Sequence, residues 1–214
     1  MSKNLQDYRK SYEKGELTLS SVSSDPFKQF EIWFTAAEKS GTVDEINAMT
    51  LSTVDVQGFP RGRVVLLKEF SPNGFIFYTN YGSEKGAAIA ANNKVCISFF
   101  WPALEQQIII KGTAERISVE KSESYFSQRP RKSQLGALVS DQSRMIEDRD
   151  TLEKKLAALE EQFKGREVPK PANWGGYLIK PSNFEFWQGR RSRLHDRVVY
   201  EKDDSTWSLK RLQP

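Results

Sequence analysis

The sequence holds a single cysteine, Cys96, and a single histidine, His195. One cysteine excludes an intrachain disulfide, and the pair leaves too few ligands for a structural zinc site. Cys96 lies in the apolar run VCISFF, where a thiol reads as core packing rather than as a nucleophile. No apolar run approaches the ~20 residues that a membrane-crossing helix requires. The opening MSKNLQDYRKSYEKG carries no apolar stretch of the kind a secretory leader has, so the expected location is cytoplasmic. There is no GxGxxG and no alternating strand–helix rhythm, which disfavours a dinucleotide-binding Rossmann domain. Internal repeats are absent as well.

Neither cations nor anions are in large excess. Lys and Arg number 32 against 28 Asp and Glu, a net charge of +4 with pI ≈ 9.0. That balance permits anionic partners, nucleic acid or small phosphate esters, without selecting one. The basic residues are dispersed except for Arg190, Arg191, Arg193 and Arg197. With 38% hydrophobic and 28% charged residues, the composition is that of a globular chain rather than a disordered one. Its 214 residues suffice for one sizeable core or at most two small domains. The expected organisation is a polar, mobile arm over 1–24, with a short helix near Leu5–Lys14, and a single domain over 25–214.

Asp25-Pro26 reads as a helix start, with Asp as N-cap and Pro in the first turn, and Gly41 as its end. Phe30, Trp33, Phe34 and Ala37 fall at helical spacing on its inner face. From Asn47 the period changes to two. AMTLSTVDV, RGRVVLLKEF and FIFYT read as strands separated by turns at Gln57-Gly58 and Pro72-Asn73-Gly74. Ser83 caps a short alanine-rich helix, and KVCISFFW and EQQIIIKGTAERI give two further strands. Helices are expected from Ser118 to the break at Pro130, over Lys132–Val139, and over the Leu152, Leu156, Leu159 and Phe163 stripe that ends at Gly165. GGYLIKP, FEFWQG, RVVYE and TWSLKRL close the chain as strands. Hairpin-linked strands with few helices predict a mainly β, α+β fold: an antiparallel barrel with peripheral helices.

Four stretches could carry chemistry. Arg63 to Lys68 is either a buried strand with solvated ends or a strand whose basic termini hold phosphate, Arg as a bidentate fork and Lys as a point charge. Ser83-Glu84-Lys85 opens a helix, a position suited equally to a surface cap and to an anion. Tyr125 and Arg129 are four apart on one helix face, and Ser133 follows across the Pro130 break. They form either an exposed basic helix end or a phosphate cradle. Around Trp187 and Gly189, Arg193, His195 and Arg197 alternate. On a strand they would share one face, an arrangement that is costly without an anion between them.

RVVLLK, FYTN, SQRPRKSQLGALVSDQS, WGGY, EFWQG and RLHDR, in this order, resemble the pyridoxine/pyridoxamine 5'-phosphate oxidase family. The resemblance runs from about Tyr8 to the C-terminal RLQP. It implies a homodimer of an FMN-binding split barrel with two flavin sites at the subunit interface. The implied activity is oxidation of pyridoxine or pyridoxamine 5'-phosphate to pyridoxal 5'-phosphate, with dioxygen reduced to hydrogen peroxide. By the same resemblance the FMN contacts are Arg63, Val64, Val65, Leu66, Leu67, Lys68, Tyr78, Thr79, Lys85 and Gln107. Gln142, Ser143, Trp187 and Arg197 would come from the other subunit. The substrate phosphate falls to Lys68, Tyr125, Arg129 and Ser133, and the substrate ring to Arg193 and His195, the two residues taken as catalytic. YRKSY resembles a lid that places Arg9 and Tyr12 over the substrate. No metal and no nucleic acid or membrane partner is implied.

Two departures stand out. Glu84 replaces an arginine that many relatives carry, which adds an anion beside the expected flavin phosphate. Lys10-Ser11 replaces an Arg-Glu pair in the lid. Two competing readings are another FMN split-barrel enzyme, such as a flavin reductase, and a non-enzymatic basic barrel that binds nucleic acid through aromatics interleaved with Lys and Arg.

Overall fold

A computed structural model describes residues 2–214. In chain order the elements are α1 (Pro26–Ser40), β1 (Ala48–Val54), β2 (Pro60–Leu66), β3 (Glu69–Ser71), β4 (Gly74–Asn80), α2 (Glu84–Ala91), β5 (Lys94–Trp101) and β6 (Gln106–Arg116). They are followed by α3 (Val119–Gln128), α4 (Arg131–Val139), α5 (Arg149–Gln162), β7 (Trp174–Gln188), β8 (Asp196–Asp203) and β9 (Thr206–Leu212). The strands pair in the order β2-β1-β5-β6-β7-β4-β3, with β8 on β7 and β9 on β8. The β3·β4, β4·β7, β7·β8 and β8·β9 pairings are antiparallel.

The expected caps form. Asp25 accepts a hydrogen bond from the Phe27 N–H, and Gly41 ends α1 in the left-handed conformation at φ 60°. Ser83 and Ser118 cap α2 and α3 as expected, and Asp148, not singled out from the sequence, caps α5. Three expectations change. Residues 5–14 contain no helix. RGRVVLLKEF is two strands, because Leu67 is buried and the Lys68 N–H turns to the Ile76 carbonyl at 2.8 Å. GGYLIKP and FEFWQG are one 15-residue strand, continuous through Pro181.

The chain divides into two compact units. The first comprises the N-terminal residues through Thr50, Cys96–Gly112 and Pro181–Pro214. Its core is aromatic: Phe30 and Trp33 of α1 meet Phe99 and Phe186 at 5.3 and 5.2 Å, and Phe186 meets Tyr200 at 5.6 Å. Each fully buried side chain of this size contributes ~1.5–3 kcal/mol. Leu17, from the N-terminal segment, is also buried.

The second unit comprises Leu51–Val95 and Thr113–Lys180. Phe126, Leu135, Val168 and Trp174 form a cluster in it, and Tyr78, Tyr125, Leu156, Leu159 and Phe163 pack around that cluster. The β4·β7 register sets Tyr78 opposite Gly176 and Thr79 opposite Gly175. A Cβ at Gly175 would meet Tyr81 Oη, and one at Gly176 would lie 2.5 Å from Ile117 Cδ1 and 3.0 Å from the Tyr78 ring, so a side chain at either position would displace its neighbours. The WGGY motif thereby seats Trp174 and Tyr78 side by side, ring centroids 5.5 Å apart and nearly parallel.

Candidate active site

The second unit contains a cavity of about 830 Å³. Twelve residues singled out from the sequence line it: Arg63, Val64, Val65, Leu66 and Lys68 from β2 and its exit, Tyr78 and Thr79 from β4, Lys85 from α2, Tyr125, Arg129 and Ser133 around Pro130, and Gln142.

One set of cations sits beside α2. The Arg63 guanidinium donates to the Leu51 carbonyl at 3.1 Å and to Thr53 Oγ1 at 2.8 Å. Lys85 Nζ donates to Gln142 Oε1 at 2.8 Å and reaches Thr79 Oγ1 at 3.3 Å. Burial, and then the charges of Arg63 and Arg61, hold the Lys85 ammonium below its ordinary pKa. Arg63 is lowered by burial and by Arg61. These neighbours repel one another, and an anion among them would relieve the repulsion. Glu84 ion-pairs with Arg61, both side chains more than half exposed, so its carboxylate already has a cation as partner.

A second set surrounds Arg129. This residue is the C-cap of α3 and not its last helical residue, with ψ 149°. Its place beside Tyr125 therefore comes from the Pro130 break rather than from a shared helix face. Gln134, buried in α4, fixes that break by donating to the carbonyls of Phe126, Ser127 and Arg129 at 3.0–3.1 Å. The guanidinium lies over the Trp174 ring, 4.7 Å from its centroid. Tyr125 stacks on Tyr78 at 3.9 Å and lies parallel to Trp174 at 6.3 Å. Arg129 Nη1 is buried without a hydrogen-bond partner. A buried, unpaired guanidinium donor is costly, and its presence in a cavity wall marks a place for an anion. Burial pushes the Tyr78 phenol up to about 12 and raises that of Tyr125. Both are therefore protonated at neutral pH and able to donate.

The remaining sequence-derived residues lie outside the lining of this cavity. Leu67 is core. Gln107 and Ser143 do not line it, and Ser143 is an exposed left-handed residue at φ 71°. Gln142, expected as a contact from a second subunit, lines the cavity of its own chain. In the first unit, Trp187, His195 and Tyr12 gather: Trp187 and His195 are 4.7 Å apart, and Tyr12 lies 5.8 and 5.7 Å from them. His195 Nδ1 accepts the Arg190 backbone N–H at 3.1 Å, so the neutral ring carries its proton on Nε2. Burial, then Arg193, lowers its pKa, with Asp196 opposing. Arg197 Nε donates to Glu185 at 2.7 Å, which offsets its charge. Arg9 is exposed; its guanidinium donates to the nearby Gln6 carbonyl and its backbone N–H to the Asp7 carbonyl.

The expected alternation of Arg193, His195 and Arg197 on one strand does not occur. Arg191–Arg193 is a 3-10 turn, Ser192 and Arg193 have φ of 54° and 61°, and β8 begins only at Asp196. Sequence reasoning also missed Asn80, Gln128, Ser140 and Trp174, which line the cavity. All four lie within motifs that carry the family resemblance, FYTN, SQRPRKSQLGALVSDQS and WGGY, and Trp174 carried a further signal as an aromatic ahead of a Gly-Gly pair.

A family model described as pyridoxamine 5'-phosphate oxidase matches residues 36–163. A second, described as the pyridoxine 5'-phosphate oxidase C-terminal dimerisation region, matches 174–214. A pyridoxine/pyridoxamine 5'-phosphate oxidase of Christiangramia forsetii is 54% identical over 214 residues, all of both chains. The chain belongs to the pyridoxine/pyridoxamine 5'-phosphate oxidase family. Another such oxidase, of Flavobacterium psychrophilum, is 52% identical over 99% of this chain and 100% of its own. Among solved structures, PhzG from Burkholderia lata in complex with tetrahydrophenazine-1-carboxylic acid has a TM-score of 0.87 at 26% identity, over 94% of this chain and 100% of that one. An FMN-binding protein from Nostoc punctiforme, related to pyridoxamine 5'-phosphate oxidase, has a TM-score of 0.69 at 16% identity, over 91% and 99%, and shows the shared fold. The fold class is the one expected, the antiparallel split barrel with peripheral helices of this oxidase family. Among the described residues, no helix is long and apolar enough to cross a membrane.

Proposed function

We infer that this chain is an FMN-dependent oxidase that converts pyridoxine 5'-phosphate and pyridoxamine 5'-phosphate to pyridoxal 5'-phosphate. The observation that carries the reading is one cavity with two cationic sets, Arg63 with Lys85 and Arg129 with Tyr125. A bound flavin mononucleotide and a phosphorylated substrate bring two phosphates, one for each set. The residues fit FMN: Arg63 and Lys85 beside α2 repel one another and, among the described residues, neither forms an ion pair, and the α2 N-terminus adds its dipole. A flavin reductase would have no use for the second set.

FMN, when bound, would supply the redox chemistry of oxidation at the substrate C4' carbon, with dioxygen as the final acceptor. The alcohol and dioxygen give aldehyde and hydrogen peroxide. The amine, with dioxygen and water, gives aldehyde, ammonia and hydrogen peroxide. The protein's part is to bind and align. Arg63 and Lys85 hold the flavin phosphate. Arg129, Tyr125, Ser133 and Lys68 hold the substrate phosphate, with Arg129 Nη1 supplying a donor free of other partners. Arg193 and His195 lie against the substrate ring, under Arg9 and Tyr12 of the N-terminal segment, which acts as a lid. Trp187 and Arg197 would hold the flavin of the other subunit of a homodimer assembled through residues 174–214, with Arg197 supplying positive charge beside its ring. Residues 25–214 act as one functional domain in the cytoplasm, without nucleic acid.

Sedimentation monitored at flavin absorbance tests cofactor and assembly together. The expected result is a dimer with one FMN per subunit. A monomer that retains full FMN affinity would contradict it.

A further inference from the structure

Glu105 has no part in the chemistry above, yet its carboxylate is almost wholly buried, 2% exposed. Its backbone is left-handed at φ 57°, a conformation costly for a residue with a Cβ. One oxygen, Oε2, accepts two backbone N–H groups from the N-terminal segment, those of Glu13 at 2.7 Å and Lys14 at 2.9 Å. The other lies 3.9 Å from Lys10 Nζ. The Glu105 carbonyl in turn accepts the Gly189 N–H at 2.8 Å and Gln188 Nε2 at 3.2 Å, which ties this turn to the end of β7.

The same segment is held again further along. Arg190 donates to the Gly15 carbonyl at 2.9 Å, and the buried Asp196 accepts the Leu17 N–H at 3.0 Å. Before residue 10, by contrast, the hydrogen bonds of Gln6, Tyr8 and Arg9 are all local. The Glu105 clasp is thus the first strong anchor met along the chain, and Tyr12 immediately precedes it. A Cβ at Gly189 would come within 2.8 Å of Tyr12 Cγ, so the bare backbone at 189 makes room for the ring.

We propose that Glu105 is a positioning residue for substrate binding: its buried carboxylate captures the Glu13 and Lys14 N–H groups and so fixes the Tyr12 ring against Trp187 and His195. The proposal rests on the reading of Tyr12 as a substrate contact. A carboxylate suits the task because two convergent N–H groups on one acceptor form charge-assisted bonds. Because both converge on one oxygen, a glutamine can keep the geometry while losing the charge, whereas methionine of similar length offers no such acceptor.

The test uses the FMN-loaded enzyme and three variants, Glu105→Met, Glu105→Gln and Tyr12→Phe. The first readout is the rate of tryptic cleavage after Lys10 and Lys14, which reports release of the segment without reference to activity. The second is KM for pyridoxine 5'-phosphate. Glu105→Met should speed cleavage and raise KM by roughly tenfold or more, with kcat changed less, the scale expected for losing bonds to a charged acceptor. Glu105→Gln should fall between Met and wild type in both, a graded rescue that loss of packing alone would not produce. Wild-type cleavage in Glu105→Met overturns the proposal. Faster cleavage with unchanged KM also overturns it, and Tyr12→Phe then shows where the fault lies. If Tyr12→Phe raises KM, only the link through Glu105 fails; if it does not, the substrate role of Tyr12 fails with it.

Discussion

Replacing Arg129 by alanine should separate the two proposed phosphate sites. The guanidinium is held by stacking on Trp174 at 4.7 Å, and its Nη1 has no hydrogen-bond partner among the described residues. A bond from such a donor to phosphate is charge-assisted and worth ~1.5–3 kcal/mol, which corresponds to a roughly 10- to 150-fold rise in KM for pyridoxine 5'-phosphate. The cation–π contact adds ~0.5–2 kcal/mol that bears on folding rather than on substrate. Arg129→Ala should therefore lower thermal stability modestly and leave FMN affinity intact, because Lys85 and Arg63 belong to the other set of cations. Steady-state rates with pyridoxine 5'-phosphate and with unphosphorylated pyridoxine give the discrimination factor, which should shrink by the same roughly 10- to 150-fold. Flavin fluorescence during titration of apoprotein gives the FMN affinity. Loss of FMN binding with unchanged discrimination for the phosphate ester would refute the assignment of the two sets. Trp174→Leu should act in the same direction through Arg129, raising KM for the phosphate ester more than for pyridoxine.

Glu84 gives a second prediction. Considered as an isolated anion near phosphate, it would repel FMN, and Glu84→Arg should tighten binding. Its ion pair with Arg61 reverses that expectation. Arginine at 84 would face Arg61 with like charge, so the gain should vanish or turn into a loss within ~1 kcal/mol, the scale of exposed pairs; FMN titration showing tightening beyond that would mean the pair does not persist. The third concerns pH. His195 is held neutral by burial and by Arg193, so its protonation falls below the ordinary histidine pKa, and activity that needs the neutral ring should decline only as pH falls below that value. Arg193→Gln removes the repelling charge and should move the acid limb of the kcat/KM profile upward; an unmoved limb would assign it to another group.

Much of the fold was legible because its signals are local. Asp25-Pro26 and Gly41 bound α1 through capping chemistry that depends on a few neighbouring residues. The grouping of Tyr125, Arg129 and Ser133 in one cavity wall was legible in outline, since they bracket Pro130, but the reason they converge was not. It lies in Gln134 bonding back to three carbonyls and in Trp174 arriving from β7, both matters of tertiary packing. The strand assumed for Arg193, His195 and Arg197 failed because non-glycine residues at positive φ leave no mark in the sequence. The same holds for Glu105, read from the sequence as the first residue of a strand, which instead sits buried at positive φ in the turn before β6. Pro181 looked like a strand end, yet β7 runs through it.

The most direct measurement for the central claim is turnover of pyridoxine 5'-phosphate by the FMN-loaded protein under air, following the aldehyde product and peroxide together. The account predicts aldehyde and hydrogen peroxide in equal amounts, with unphosphorylated pyridoxine a much poorer substrate. A flavin-loaded protein that yields neither product, or that oxidises both alcohols equally well, would contradict it.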